Sequence, residues 1–180
     1  MENVEIVSKV VIAIEMLLSN DKFLLENDLS ERSVAHKLAE YLQLLFLNHN
    51  VDCEYNGNVD TLSGKKRISI LKSELEQRGL LKVKEAEDIE EELADRQVFP
   101  DIIIHNRGTN ENNLCIIEIK KSTSKVSIEY DELKLKSYTT ENYGNDLKYK
   151  IGLFIEFESG SNDVIYNIRC FVNGLETDEY

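Results

Sequence analysis

The sequence predicts an α/β fold in which helices flank a central, mixed β-sheet. Apolar residues recur at helical spacing near the start of the chain and again after residue 128, which indicates helices. Elsewhere, short apolar runs are bounded by polar turns, which indicates strands. The predicted order is helix, helix, strand, insertion, strand, strand, helix, strand and strand.

Length and composition fit one domain spanning 1–180. Compact domains usually have about 100 to 200 residues, and this chain has 180, of which 42% are hydrophobic and 31% charged. Its 8 Gly and 1 Pro leave little room for long linkers. One core is therefore expected, with an additional N-terminal helix at about 4–18 and an insertion at about 56–97.

The first two predicted elements are helices. Residues 4–18 carry apolar side chains at helical spacing and predict the first of them. The second is marked at its start by Asp28, a good N-cap, and by Glu31 at the capping-box position. Its apolar face continues to about residue 49, and Glu31 shares that face, which points its side chain toward the core.

A short strand and the insertion come next. Residues 51–55 predict a strand that ends at a polar, glycine-containing turn. In the insertion, charged and aliphatic residues alternate in a pattern that fits helices at 70–77 and 85–94, separated by a break at Gly79.

The second half of the chain gives clearer signals. Strands are predicted at 98–105 and 114–120, joined by a polar turn, and their nearly continuous apolar character is typical of a sheet centre. A helix at 128–140 follows, and two further strands are predicted at 151–157 and 164–172.

The net charge weighs against nucleic acid as a partner. The chain has 21 basic and 34 acidic residues, a balance of −13, and such a field repels polyanions unless positive charge is concentrated locally. Residues 63–84 are one such segment, with seven basic and two acidic side chains. The excess of acid lies elsewhere, notably in 85–95.

Cysteine usage and hydropathy predict a cytoplasmic protein. The longest apolar run near the start is interrupted by Glu15 and has no basic leader, so neither a membrane span nor an export signal is expected. Cys53, Cys115 and Cys170 are an odd number without C-x-x-C spacing. They are expected to be free thiols inside strands, and zinc is not expected.

Three ionisable side chains fall inside strands that are otherwise apolar. Side chains alternate across a strand, so Asp101 shares a face with His105, and Glu118 shares a face with Lys120. Charges in a sheet centre are costly unless they are paired or bind a metal. If the two strands are neighbours, Asp101 and Glu118 converge on one hard cation such as Mg²⁺ or Mn²⁺.

These residues resemble the motif of the PD-(D/E)XK nuclease superfamily, which includes restriction endonucleases and archaeal Holliday junction resolvases. The matching residues are Pro100, Asp101, Glu118, Ile119 and Lys120. The likeness is strengthened by the chain's only proline directly before Asp101, by apolar strands around both halves of the motif, and by the helices before and after it. It extends over roughly 28–157.

The resemblance implies a restriction-endonuclease-like core and metal-dependent hydrolysis of phosphodiester bonds, with DNA expected as the substrate in preference to RNA. It implies that Asp101, Glu118, Glu31 and the main-chain carbonyl of Ile119 hold Mg²⁺ or Mn²⁺. It also implies that Lys120 positions the attacking water and stabilises the transition state. Nucleic acid is the implied partner, and a homodimer is a further expectation because a duplex has two strands to cut.

The same residues also have structural interpretations. Glu31 fits a capping box with Asp28. Asp101, Glu118 and Lys120 fit a structural ion network, and His105 fits a histidine hydrogen-bonded at a strand end.

A stripe of side chains follows the motif at helical spacing. Its members are Tyr130, Lys134 and Tyr138. The stripe fits contact with a nucleic acid backbone, and it fits at least as well a helix that packs its aromatic side chains on the sheet.

Two functional alternatives to an independent nuclease remain. The first is a non-catalytic module of the same fold that binds nucleic acid or a protein, which the charge of −13 favours. The second is a nuclease subunit in a restriction, defence or recombination system, to which a basic protein partner delivers the DNA.

Overall fold

A computed structural model of the chain describes residues 1–58, 62–88, 90–160 and 163–178. In chain order, the helices and strands are α1 Asn3–Asn20, α2 Phe23–Glu26, α3 Glu31–Leu45, β1 Asn50–Cys53, β2 Arg67–Leu71, α4 Lys72–Gln77, α5 Val83–Glu87, β3 Leu93–Gln97, β4 Ile102–His105, β5 Cys115–Lys121, α6 Glu129–Tyr138, β6 Ile151–Phe157, β7 Tyr166–Val172 and β8 Leu175–Thr177.

The predicted α/β architecture with a mixed sheet is confirmed. Six strands form one sheet in the order β1-β4-β5-β6-β7-β8. β5 and β6 run parallel, with α6 as the crossover between them, and the other neighbouring pairs are antiparallel. Every residue of β5 is buried, which explains why its sequence is apolar on both faces.

Two helical layers cover the two faces of this sheet. α1 and α3 pack against one face, which presents Ile102, Ile104 and Ile117. α6 packs against the other face, which presents Ile103 and Ile116. The alternation of side chains along each strand thus divides the apolar residues between two cores.

The insertion is a small α/β unit rather than a pair of helices. β2 and β3 form a two-stranded antiparallel sheet in which Ile70 lies opposite Ala94. The predicted helix at 70–77 is confirmed from Lys72 onward. The predicted helix at 85–94 is wrong, because α5 ends at Glu87 and β3 begins at Leu93. Strand pairing buries Ala94 beside the α6 face and overrides the local helical pattern.

Residues 59–61 and 89 of the predicted insertion lie outside the described residues. Several boundaries also differ from the predictions, two of them by four residues. The strand predicted from residue 98 begins at Ile102, and α3 ends at Leu45 rather than near residue 49. The short elements α2 and β8 were not predicted, since four and three residues are too few to show a period.

The predicted N-cap at Asp28 is wrong. Ser30 caps α3, and its Oγ accepts a hydrogen bond from the Ser33 N–H at 3.2 Å. The Asp28 carboxylate instead accepts hydrogen bonds from Lys121 Nζ at 2.5 Å and from Ser159 Oγ at 2.9 Å. These bonds lower the pKa of Asp28 to about 2. They fasten the segment before α3 to the carboxyl ends of β5 and β6.

All three cysteines lie on strands and are free thiols, as predicted; Cys115 and Cys170 are buried, and Cys53 is half-buried. Among the helices of the described residues, none has the length and apolar character needed to span a bilayer.

Gly152 fixes the distance between α6 and the sheet. A Cβ at this position would meet Leu135 Cδ2 at 3.1 Å and Thr139 Cγ2 at 3.3 Å. We expect Gly152→Val to lower the free energy of unfolding by about 1–3 kcal/mol, measured in urea, because the larger side chain forces α6 away from β6. Gly152→Ala should cost less.

A double-mutant cycle with Leu135→Ala tests the cause of this loss. If the valine destabilises the fold by a steric clash with Leu135, the two substitutions together should lower the free energy of unfolding by less than the sum of their separate effects. Strictly additive losses would contradict this account of the packing.

Candidate active site

Asp101, the residue directly before β4, and Glu118 of β5 lie side by side at one end of the β4–β5 pair. The β4–β5 ladder pairs Ile102 with Ile117, and one further step along the same register places Asp101 opposite Glu118. Opposed positions of an antiparallel pair carry their side chains on the same face. Here it is the face that α6 covers, and Glu118 is the middle residue of β5.

Each of these two carboxylates has one oxygen held by a protein donor. Asp101 Oδ2 accepts a hydrogen bond from the Ile119 N–H at 2.7 Å. Glu118 Oε2 accepts one from Lys134 Nζ at 2.7 Å, whereas Glu118 Oε1 is buried and has no hydrogen-bond partner. An unpartnered oxygen on a carboxylate that is 1% exposed is unfavourable unless a cation or donor binds there.

A continuous ion network extends from Glu118 to Lys120 through α6. Lys134 Nζ also contacts Asp131 Oδ1 at 2.7 Å, and Asp131 Oδ2 contacts Lys120 Nζ at 3.0 Å. The four side chains are between 2% and 13% exposed. The partners differ from the network considered from the sequence, because Lys120 pairs with Asp131 of α6 and not with Asp101.

Burial makes ionisation of both motif carboxylates unfavourable. Loss of solvation raises the pKa of Asp101 to about 6. It raises the pKa of Glu118 to about 8, because the cost of burial exceeds the attraction of Lys134, and the charges of Asp101 and Asp131 add to the effect. The pKa of Lys134 is raised by Glu118 and Asp131, so Lys134 stays protonated.

Glu31 lies at the same end of the sheet. Its Oε1 accepts a hydrogen bond from the Lys121 N–H at 3.0 Å, and its charge contributes to the raised pKa of Asp101. The predicted inward direction is therefore correct. The capping box with Asp28 is wrong, because Asp28 binds the ammonium of Lys121. Together the two acids fix the amino end of α3 to the end of β5.

The stripe on α6 packs inside the protein. Tyr138 is 0% exposed, and Lys134 is buried in the ion network. The Tyr130 ring lies 5.7 Å from Lys134 Nζ and 5.2 Å from the Arg96 guanidinium of β3. The suggested contact of this stripe with a nucleic acid backbone is therefore wrong, and the alternative of helix packing is confirmed.

Sequence reasoning missed Asp131 and the ionic role of Lys134. The available signal was the occurrence of two charged residues, three apart, on the face of a predicted helix that also carries Tyr138. Charges on the buried face of a helix require partners of opposite charge, and the candidates were Glu118 and Lys120 on the preceding predicted strand.

Two further predictions concern residues outside this network. His105 is buried, and its Nε2 lies 2.9 Å from Asp52 Oδ2, which confirms the structural interpretation. The basic segment 63–84 is engaged in internal contacts in part, while Lys65, Lys82 and Lys84 are exposed. Lys66 is buried against the Gly57 carbonyl, and Arg78 pairs with Glu132 at 3.3 Å.

The two motif carboxylates fit a hard divalent cation. Within the described residues, no three His, Cys, Asp or Glu side chains are already arranged as a metal site. Glu118 Oε1 nevertheless lacks any partner, and no donor among the described residues is bonded to Asp101 Oδ1. Mg²⁺ and Mn²⁺ bind such oxygens, and a bound cation would offset the charge repulsion and burial that oppose ionisation.

The raised pKa values predict how stability depends on pH in the absence of metal. A carboxyl group whose pKa is higher in the folded state stabilises the fold at low pH, and that contribution is lost as pH rises through the folded pKa. For Glu118, with a pKa raised from 4.5 to about 8, the loss falls between about pH 4 and pH 8. Glu118→Gln should therefore gain stability relative to the unchanged protein from pH 5 to pH 8, by on the order of 1 kcal/mol or more, in urea titrations with EDTA.

Glu5→Gln is the matched control for this measurement, because Glu5 is half-exposed and forms only a surface pair with Lys9. The control should shift little over the same pH range. If the difference in the free energy of unfolding between Glu118→Gln and the unchanged protein stays constant from pH 5 to pH 8, folding does not raise the pKa of Glu118.

Searches of protein-family models, curated protein sequences and solved structures found no match to this chain. The assignment of a function depends on the geometry of the site.

Proposed function

We propose that this chain is a divalent-metal-dependent nuclease of the PD-(D/E)XK type, with a restriction-endonuclease-like core, that hydrolyses phosphodiester bonds in DNA. One observation carries the proposal. Asp101, directly before β4, comes opposite Glu118 of β5 when the strand register is extended by one residue, and the buried Glu118 carboxylate has an oxygen without a partner. Such an oxygen beside a second carboxylate is the donor set that a hard cation requires.

The topology around the motif supports the proposal. Both halves of the motif lie at one end of an antiparallel strand pair, and β5 then leads through α6 to the parallel strand β6. The first core helix, α3, brings Glu31 to the same end of the sheet. The position of Glu31 agrees with the role that the resemblance implies for an acid on this helix.

In this proposal, the acidic residues bind the metal and Lys120 acts on the water and the phosphate. Asp101, Glu118 and the Ile119 carbonyl would hold Mg²⁺ or Mn²⁺, with Glu31 beside them. The bound cation would lower the pKa of a water and neutralise charge on the phosphate.

Lys120 would act next to this cation. It has three ammonium donors and uses one on Asp131, so it retains donors for the attacking water and for a phosphate oxygen. Attack of that water on phosphorus would break the P–O3′ bond and give a 5′-phosphate and a 3′-oxygen, which takes up a proton to become a 3′-hydroxyl.

A specific observation favours the second candidate, a non-catalytic module. Lys134 and Lys120 already give Glu118 and Asp131 cationic partners, so the network can be held together by protein charges alone. The charge of −13 also opposes an approach of DNA to the isolated chain. A nuclease of this kind would need a second copy or a basic protein partner to deliver its substrate.

The proposal predicts metal-dependent cleavage that requires Lys120. Purified protein is incubated with supercoiled plasmid, single-stranded DNA and branched DNA, in Mg²⁺, in Mn²⁺ and in EDTA. We expect cleavage only with metal, and a loss of roughly a hundredfold or more in Lys120→Met, because the lysine stabilises charge in the transition state.

Lys148→Met is the matched control. β5 and β6 are parallel, and Lys148 precedes the start of β6 whereas Lys120 lies near the end of β5, so the two lysines are at opposite ends of the sheet. Circular dichroism verifies that each variant is folded. Absence of cleavage by folded, metal-treated protein on all three substrates would favour the non-catalytic module or the partner-dependent subunit.

A further inference from the structure

Lys134 places a positive charge beside Glu118, where a metal cation would also be attracted. Its ammonium lies 2.7 Å from Glu118 Oε2 and 2.7 Å from Asp131 Oδ1, and its side chain is 10% exposed. The neighbouring residues of α6, Leu133 and Leu135, are buried against the sheet, so the helix cannot turn Lys134 toward solvent without unpacking. Lys134 is therefore a fixed internal cation of the site.

We propose that Lys134 is the resident cation of this site, and that a divalent metal entering at the unpartnered Glu118 Oε1 repels the Lys134 ammonium from Oε2 and displaces it onto Asp131. This inference rests on the proposed function, because it presumes that Asp101 and Glu118 are metal ligands. It adds a residue outside the E-x-K motif that sets how tightly the metal binds.

The structure provides a place for the displaced ammonium. Asp131 Oδ1 already contacts Lys134, and the two residues lie one helical turn apart on α6. The four-carbon stem of lysine can shift its ammonium by a rotamer change without moving the helix. The Tyr130 ring, 5.7 Å from Lys134 Nζ, offers a second favourable contact for the cation.

A count of formal charges gives the expected direction of the effect. With the metal-binding carboxylates ionised, Asp101, Glu118, Asp131 and Glu31 and the two ammonium groups of Lys120 and Lys134 sum to −2. A bound divalent cation changes this to 0, which removes the repulsion of a phosphodiester. Without the Lys134 charge, the same site has −3 before metal binds, so the attraction for the metal is greater. Lys134 therefore weakens metal binding in the absence of substrate and couples metal binding to nucleic acid binding.

Lys120 is the natural comparison within the same network. It contacts Asp131 at 3.0 Å, and no contact of its ammonium with Glu118 occurs among the described residues. Removal of its charge should affect the metal less than removal of the Lys134 charge. Lys134→Arg keeps the positive charge and separates the effect of charge from the effect of altered shape.

The test is the dissociation constant of Mn²⁺, measured from the electron paramagnetic resonance signal of free Mn²⁺ without nucleic acid. We expect Lys134→Met to bind Mn²⁺ about tenfold or more tightly than the unchanged protein. Lys134→Arg should stay within about threefold of the unchanged protein, and Lys120→Met should gain less than Lys134→Met. Equal or weaker binding by Lys134→Met would overturn the proposal.

A second measurement uses the unmodified chain, so it holds even if Lys134→Met fails to fold. The buried ammonium of Lys134 should give a slowly exchanging ¹⁵Nζ–H signal by nuclear magnetic resonance, assigned by its loss in Lys134→Arg. Saturating Mg²⁺ should shift this signal, because the Lys134 ammonium loses its hydrogen bond to Glu118 when the metal binds. An unchanged signal in the metal-bound protein would overturn the displacement.

The outcomes separate this inference from the proposed function. If neither the unchanged protein nor folded Lys134→Met binds Mn²⁺, the metal site itself is refuted and the inference falls with it. If both bind Mn²⁺ with the same affinity, the metal site stands and only the role of Lys134 is refuted. If only Lys134→Met binds, the ligand set can hold a metal, but the resident ammonium is not displaced, so the displacement and the metal dependence proposed for the unchanged chain are both refuted.

Discussion

The carboxylate of Glu118 is 1% exposed in the centre of a six-stranded sheet, and the cost of burying that charge determines the arrangement of the residues around it. An isolated buried carboxylate would either stay protonated or prevent folding. Lys134 of α6 supplies the compensating charge at 2.7 Å, and Asp131 fixes Lys134 in turn. The helix is thus attached to the sheet by an ion network as well as by its apolar side chains.

This dependence links the packing of the fold to the chemistry of the site. α6 approaches β6 closely because Gly152 has no side chain, and that approach brings Lys134 within reach of Glu118. On the opposite side of the sheet, α3 is fastened to Lys121 at the end of β5 by Asp28 and Glu31. Helices on both faces therefore position acidic groups at one end of the same strand.

The site combines features of a structural network and of a metal site. Lys134 and Lys120 balance the charges of the two network carboxylates, Glu118 and Asp131, as in a structural ion cluster. One oxygen of Glu118 nonetheless has no partner, and Asp101 has a pKa raised to about 6 although its other oxygen accepts a main-chain hydrogen bond. Both features are unfavourable in a purely structural cluster, and a bound cation would relieve both of them.

The sequence alone was enough to predict the α/β architecture, the strand that carries Glu118, and the approach of Asp101 and Glu118 on one face. These follow from local period and alternation, which do not depend on distant contacts. The helix expected at 85–94 failed because the pairing of β2 with β3 is made between segments far apart in the chain. The partners of Glu118 and Lys120 could not be predicted for the same reason. Which charged side chain of α6 meets which strand residue is set by the crossover from β5 to β6, and only the packed tertiary structure fixes it.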